Sequence, residues 1–311
     1  MILNEFPDLA WLKRQISQDF ASKQGWGGRI LKDRGWPTVI LNTTPTKCVK
    51  RDNILGPLSF FSNIRGTSRV NVNRDPVKIS EDIFFLTNPG QYYSLEIDQK
   101  SGPTETFNIH FGEQFGEEAM VSLSKRPEFL LEHPFEKSPT AVHFYNKLYP
   151  KDEITDRLVA SLQSRQPIET IFEQEQLYRL FAHLMQQQNH LSRARQRIPS
   201  LNSSTREEIM KRLFISTDYV YTFFDQNLSL EELAQVSCFS KFHFLRLFKI
   251  AFGETPHQFI TKVRLEKAKE LLQSKRLEVC DIAKQVGFEN ASSFSRLFYN
   301  QTGVYPSQFR A

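Results

Sequence analysis

The strongest constraint on this 311-residue chain is a pattern that occurs twice near its C-terminus. The first copy reads Leu233-Ala234, Phe239-Ser240, Phe244-Leu245-Arg246-Leu247-Phe248, Gly253, Pro256 and Gln258-Phe259. The second reads Ile282-Ala283, Gly287-Phe288, Phe294-Ser295-Arg296-Leu297-Phe298, Gly303, Pro306 and Gln308-Phe309. Matching residues lie 49 apart before the turn (282 minus 233) and 50 apart after it (294 minus 244), so the second turn holds one extra residue. In each copy a small Ala lets a second helix approach closely across a tight turn. In copy one Phe244, Leu247, Phe248 and Ala251 fall at i, i+3, i+4 and i+7, the spacing of a buried helical stripe. Phe294, Leu297 and Phe298 form the equivalent stripe in copy two. The pattern predicts two helix-turn-helix units.

The helix faces left over carry the chemistry. Copy one presents Lys241, Phe242, Leu245, Arg246 and Lys249; copy two presents Asn290, Ala291, Ser292, Ser293, Ser295 and Arg296. A duplicated unit suits a ligand that itself repeats in space, and double-stranded DNA is such a ligand. An Arg at the same place in both copies fits bidentate contact to guanine O6 and N7 in a major groove. Leu245 and Phe242 suit thymine methyls, and Ser and Asn suit base edges or phosphates. The bland alternative for each Arg is a surface ion pair, such as Arg296 with Glu289. Between the copies, Thr255-Pro256 caps a helix whose stripe Phe259, Val263, Leu265, Ala268, Leu271 and Leu272 runs on to Ser274. About 18 residues at 1.5 Å each make a strut of roughly 27 Å, near the roughly 34 Å repeat of the groove.

Charge adds little to this argument. The chain carries 40 Lys+Arg against 35 Asp+Glu, net +5, and from Arg206 to Arg310 the balance is 15 basic to 12 acidic, or +3. That excess is too small to establish nucleic-acid binding. Cys48, Cys238 and Cys280 are too few and too scattered for a disulfide framework or a zinc site, and read as free thiols in a reducing compartment. Charges at Glu5, Asp8, Lys13 and Arg14 break any N-terminal signal sequence, and no run approaches the roughly 20 apolar residues of a membrane span. The expectation is a soluble cytoplasmic protein without a cofactor.

The N-terminal part has a different texture. Residues 8 to 22 pattern as an amphipathic helix through Leu9, Leu12, Ile16 and Phe20. From about 38 to 145, short β-branched and aromatic runs alternate with turn signals: Thr38–Leu41, Leu58–Phe61, Ile83–Leu86, Tyr92–Ile97 and Thr106–Phe111. Such spacing predicts a sandwich or barrel. Phe60, Phe61, Tyr92, Tyr93, Phe107 and His110 are candidates for lining a small-molecule pocket, against ordinary barrel core. Tyr92 and Tyr93 must point to opposite faces, and His110 is either a pocket contact or a solvated edge residue. Helical patterning follows from about 152 to 192. There Leu177, Phe181, Leu184, Gln188 and Leu191 keep a 4-3-4-3 spacing, which suits either a dimer seam or packing on the barrel. Arg197 to Ser204 reads as a linker, with Ser204 and Glu207 forming a capping box for the next helix. These features divide the chain into residues 1–195, a linker at 196–204, and residues 205–311.

Ser229 to Arg310 resembles the DNA-binding domain of the AraC/XylS family of bacterial transcription regulators. The resemblance rests on Ile282-Ala283-Lys284-Gln285-Val286-Gly287-Phe288, Phe294-Ser295-Arg296-Leu297-Phe298, Gly303 and Tyr305-Pro306-Ser307-Gln308-Phe309-Arg310. Copy one departs from it at Cys238 and Ser237, where copy two has Gly287 and Val286. The resemblance implies two units entering successive major grooves. The segment from Val77 to Phe111 is similar, more weakly, to the cupin-like sensor domain of many such regulators. It lacks the His-x-His of metal-binding cupins, since His110, His133 and His143 are isolated, so metal catalysis is not expected.

Taken together these predict an α+β two-domain protein. A cupin-like β-barrel with flanking helices binds an effector and pairs two copies, and an all-α domain of two helix-turn-helix units joined by a long helix binds promoter DNA. RNA polymerase is a further candidate partner. The competing readings are a metal-dependent cupin-type enzyme with an accessory tail and an effector-independent DNA-binding dimer.

Overall fold

The computed structural model describes residues 2–6, 38–72, 76–98, 102–112, 115–116, 118–119, 123, 143–163, 170–200 and 202–310. The helix expected over residues 8–22 lies outside them, as does His133. The chain divides into two compact units, Met1–Asn189 and His190–Ala311.

The first unit is rich in sheet. Its strands are β1 (Ile2–Leu3), β2 (Val39–Thr43), β3 (Val49–Gly56), β4 (Leu58–Arg65), β5 (Ser68–Asn71), β6 (Val77–Ile79), β7 (Ile83–Thr87), β8 (Gln91–Ile97), β9 (Glu105–Phe111) and β10 (Leu148–Pro150). All five expected runs are strands, but they do not pair into one closed barrel. Among the described residues they form a six-stranded sheet, β1-β2-β9-β4-β7-β10, and a four-stranded sheet, β3-β8-β5-β6. The sheets face each other: Phe61 meets Tyr93 at 5.0 Å between ring centroids, and Asn63 Nδ2 donates to the Ile79 carbonyl at 2.8 Å.

Strand β4 is buried on both faces, from Leu58 through Asn63. One face meets the smaller sheet. The other meets helices, as the contacts of Phe181 with Phe111 (6.0 Å) and Phe144 (6.3 Å) show. Helices α1 (Glu153–Gln163) and α2 (Thr170–Gln196) supply that cover. Here the seam finds its use. Leu177, Phe181 and Leu184 are buried within their own unit, and Gln188 Nε2 donates to the His143 carbonyl at 2.9 Å. Burying Phe181 alone removes enough apolar surface to stabilise the fold by roughly 1.5–3 kcal/mol. These three side chains are therefore spent on the core and are not a dimer contact; Leu191 is half-buried.

The second unit is helical: α3 (Ser203–Phe223), α4 (Leu230–Val236), α5 (Lys241–Phe252), α6 (Pro256–Gln273), α7 (Val279–Gln285), α8 (Ala291–Thr302) and α9 (Pro306–Phe309). The capping box expected at Ser204 does not form. Helix α3 begins at Ser203 behind Asn202, which makes no side-chain cap, so Ser204 already lies inside the first turn. Glu207 instead pairs with Arg195 at 2.7 Å. No helix among the described residues is long and apolar enough to cross a membrane.

Candidate nucleic-acid interface and inter-sheet cluster

Each helix-turn-helix closes with the same backbone bonds. In copy one the N–H of Phe239 donates to Ala234 O at 2.9 Å; in copy two Phe288 donates to Ala283 O at 2.9 Å. Cys238 and Gly287, just before these residues, both take left-handed backbone, at φ 57° and 86°. The registers part only after the turn. Ser240 takes the N-cap position of α5 immediately after Phe239, whereas Glu289 intervenes between Phe288 and the N-cap residue Asn290 of α8. That is the extra residue that changes the offset from 49 to 50. Below each turn the stripes are buried: Phe244, Leu247, Phe248 and Ala251 in α5, and Phe294 and Phe298 in α8. Leu297 is only half-buried and packs against the second core.

The faces turned away from these stripes differ in exposure from residue to residue. Lys241, Phe242, Arg246 and Lys249 are exposed, with Phe242 at 83%, and Leu245 is half-buried. His243, on the same helix, is exposed as well. Lys241 forms an ion pair with Glu231 of α4. On α8, Ser292 and Arg296 are exposed while Ser293 and Ser295 are half-buried. Ala291 packs against the core. Asn290 spends Oδ1 on the backbone N–H of Ser293 at 2.7 Å, leaving its Nδ2 for any outside partner. Arg296 does not pair with Glu289, and neither it nor Arg246 makes an ion pair among the described residues.

The strut is built as its sequence prescribes. Thr255 Oγ1 accepts from the Gln258 N–H at 3.3 Å, Gln258 Oε1 accepts from the Thr255 N–H at 2.8 Å, and Pro256 takes the first helical position. A helix so capped starts at a defined residue, which fixes where its far end lies.

The first unit holds a second cluster. Cross-strand register puts Thr87, Ser59 and His110 side by side on the face that meets the smaller sheet, with Phe61 and Asn108 in the adjacent row. Tyr93 reaches them from the other sheet, with His110 at 6.4 Å and Phe61 at 5.7 Å from His110. Ser59 has one hydroxyl proton, which it donates to the Pro57 carbonyl at 3.0 Å. It therefore accepts from His110 Nδ1–H at 2.9 Å, and the His110 Nε2 is left as an acceptor. Burial pushes the His110 pKa down to about 4, so the ring is neutral near pH 7; burial also raises the Tyr93 hydroxyl. Buried Thr87 Oγ1 and Asn108 Nδ2 have no hydrogen-bond partner among the described residues.

Of the six pocket candidates Phe61, Tyr93 and His110 join this cluster. Phe60 and Phe107 are fully buried on the opposite face of the sheet, with Phe60 stacked on Phe84 at 4.8 Å. Tyr92 points outward and is 49% exposed, next to Leu55 on β3. Asn108, Ser59 and Thr87 were missed because a strand buried on both faces carries no alternation to say which face is which.

Comparison with known proteins places the second unit. A helix-turn-helix domain family model matches residues 233–311. The probable transcription factor PqrA of Proteus vulgaris is 33% identical over 86 residues, which cover 28% of this chain and 70% of that protein. The raffinose operon transcriptional regulatory protein RafR of Pediococcus pentosaceus is 25% identical over 262 residues, covering 81% of this chain and 83% of RafR. Among solved structures, the C-terminal domain of AraT, a response regulator from Geobacillus stearothermophilus, is 34% identical over 32% of this chain and 83% of that one, with a TM-score of 0.31. The chain spans only 27–44% of the length of several other curated relatives that it matches. With the duplicated turn, the capped strut and this match in hand, the chain belongs to the AraC/XylS family of transcription regulators.

Proposed function

We propose that the chain is a sequence-specific DNA-binding transcription regulator whose N-terminal unit takes a small-molecule effector. The observation that carries the DNA reading is the pair of outward faces on α5 and α8, each with an exposed Arg held on a buried Phe stripe. The strut between them is of a length that suits successive major grooves. Genome-wide footprinting should find short, sequence-preferred sites; uniform occupancy would contradict the reading.

The effector reading rests on the inter-sheet cluster. His110 Nε2 offers an acceptor, Asn108 Nδ2 a donor and Thr87 Oγ1 either, against the rings of Phe61 and Tyr93. Unpartnered buried polar groups cost free energy until something satisfies them, so they mark where a ligand's own polar groups would be rewarded. RafR, similar over most of the chain, is by its name the transcriptional regulatory protein of a raffinose operon, so the likeness to a regulator extends beyond the second unit. A cupin-like sensor, two copies per site and contact with RNA polymerase belong to the same proposal; the Leu177–Leu184 seam does not. Thermal melting against a metabolite library tests it, because a ligand of the folded state raises stability by about 2.7 kcal/mol at a hundredfold excess over its Kd. An effector that acts here loses that shift in His110→Phe. A shift that survives the substitution puts the site elsewhere.

A further inference from the structure

Copy two is tied to the rest of its unit at a joint that copy one lacks. A Cβ built on Gly287 would lie 2.8 Å from the carbonyl oxygen of Asp225, 2.9 Å from that of Phe224 and 3.0 Å from Arg264 Cζ. Two of those three neighbours are backbone, which cannot swing aside. Cys238, at the matching place in copy one, is exposed and keeps its side chain. The second turn is thus pressed directly against the residues that end α3 and lead into the first helix-turn-helix.

Arg264, midway along the strut, closes the same joint. Its Nε donates to the Phe224 carbonyl at 2.7 Å and its Nη2 to the Gln226 carbonyl at 2.6 Å. Its guanidinium carbon lies 5.7 Å from the centre of the Phe288 ring, in the second turn. Burial lowers its pKa and the charge of Asp225 opposes that, but a guanidinium keeps its proton. Carbonyls at the end of α3 carry the negative end of the helix dipole, so a cation is well placed there. A planar fork that makes two charge-assisted bonds also fixes direction, which a lysine's single point charge does not.

We propose that Arg264 is a positioning residue that locks the second helix-turn-helix to the entrance of the first, so that α5 and α8 read DNA at one fixed spacing. The inference rests on the DNA-binding reading above. Arg264 lies on the strut and on neither recognition helix, so its loss changes the spacing requirement and leaves base preference within each contacted segment as it was.

The test is fluorescence-anisotropy titration of the full chain on its mapped site, and on versions with one base pair inserted or removed between the two contacted segments. Wild type should bind the altered spacings more than tenfold more weakly. For Arg264→Ala that penalty should fall to threefold or less, with Arg264→Lys between the two. A merely structural loss would weaken every duplex alike and leave the ratio unchanged. An Arg264→Ala protein that keeps the wild-type penalty overturns the proposal, as does a wild type indifferent to spacing. Should the Ala variant not fold, the same ratio in Arg264→Lys decides. A wild type that selects no sequence at all overturns the DNA reading and this inference with it.

Discussion

Copy one and copy two of the helix-turn-helix share a backbone to within the placement of a single residue, yet face the outside with different chemistry. Both turns close on a Phe-to-Ala bond of 2.9 Å. Both second helices end on a left-handed Gly, Gly253 at φ 78° and Gly303 at φ 77°. Outside, copy one shows two Lys, an Arg and an almost fully exposed Phe242, while copy two shows one Arg among hydroxyl and amide groups. The N-terminus of α5 has no side-chain cap, whereas Asn290 caps α8. Uncapped N–H groups can take a phosphate, so copy one is better equipped for the DNA backbone too. The lesson is that the buried stripe dictates the unit and leaves the other face free to vary.

The comparison is sharpened first in the core, where the copies should behave alike. Phe244→Ala and Phe294→Ala each empty a site that is fully buried, and each should cost about 3–5 kcal/mol in denaturant unfolding. A large difference between them would mean that the cores are not equivalent. At the turn the copies should diverge. Gly287→Ala combines strained left-handed backbone with overlap on two carbonyls, at a cost of about 2–4 kcal/mol.

On DNA, Arg246→Ala should lose roughly 1–3 kcal/mol at one base position, and Arg296→Ala less. A loss spread evenly over all sequences would instead mark a phosphate contact. The smallest effect expected is a gain. Cys238→Gly removes a side chain from left-handed backbone at an exposed site and should raise stability by up to about 1 kcal/mol in the same unfolding assay.

How far the sequence could be read follows from the range of the interactions. The helix-turn-helix copies were legible because their signal is local: apolar residues at helical spacing, an Ala before each turn, a Gly after each helix. The cap at Thr255 was legible for the same reason. In the first unit the strands were legible but their faces were not. Phe60 and Phe61 are both buried, one against Phe84 and the other against Tyr93, and nothing in a continuous apolar run separates those partners. The seam from Leu177 to Leu191 showed a stripe but not what it packs on. Arg264 carried no signal at all, since its partners Phe224 and Gln226 lie 40 and 38 residues away.

The most direct test of the account is selection of bound duplexes from a random library by the full chain. The account predicts an enriched site of two short segments about 10 base pairs apart, centre to centre, with the segment contacted by α5 the more strongly preferred. Enrichment of one segment alone, or of none, would contradict it.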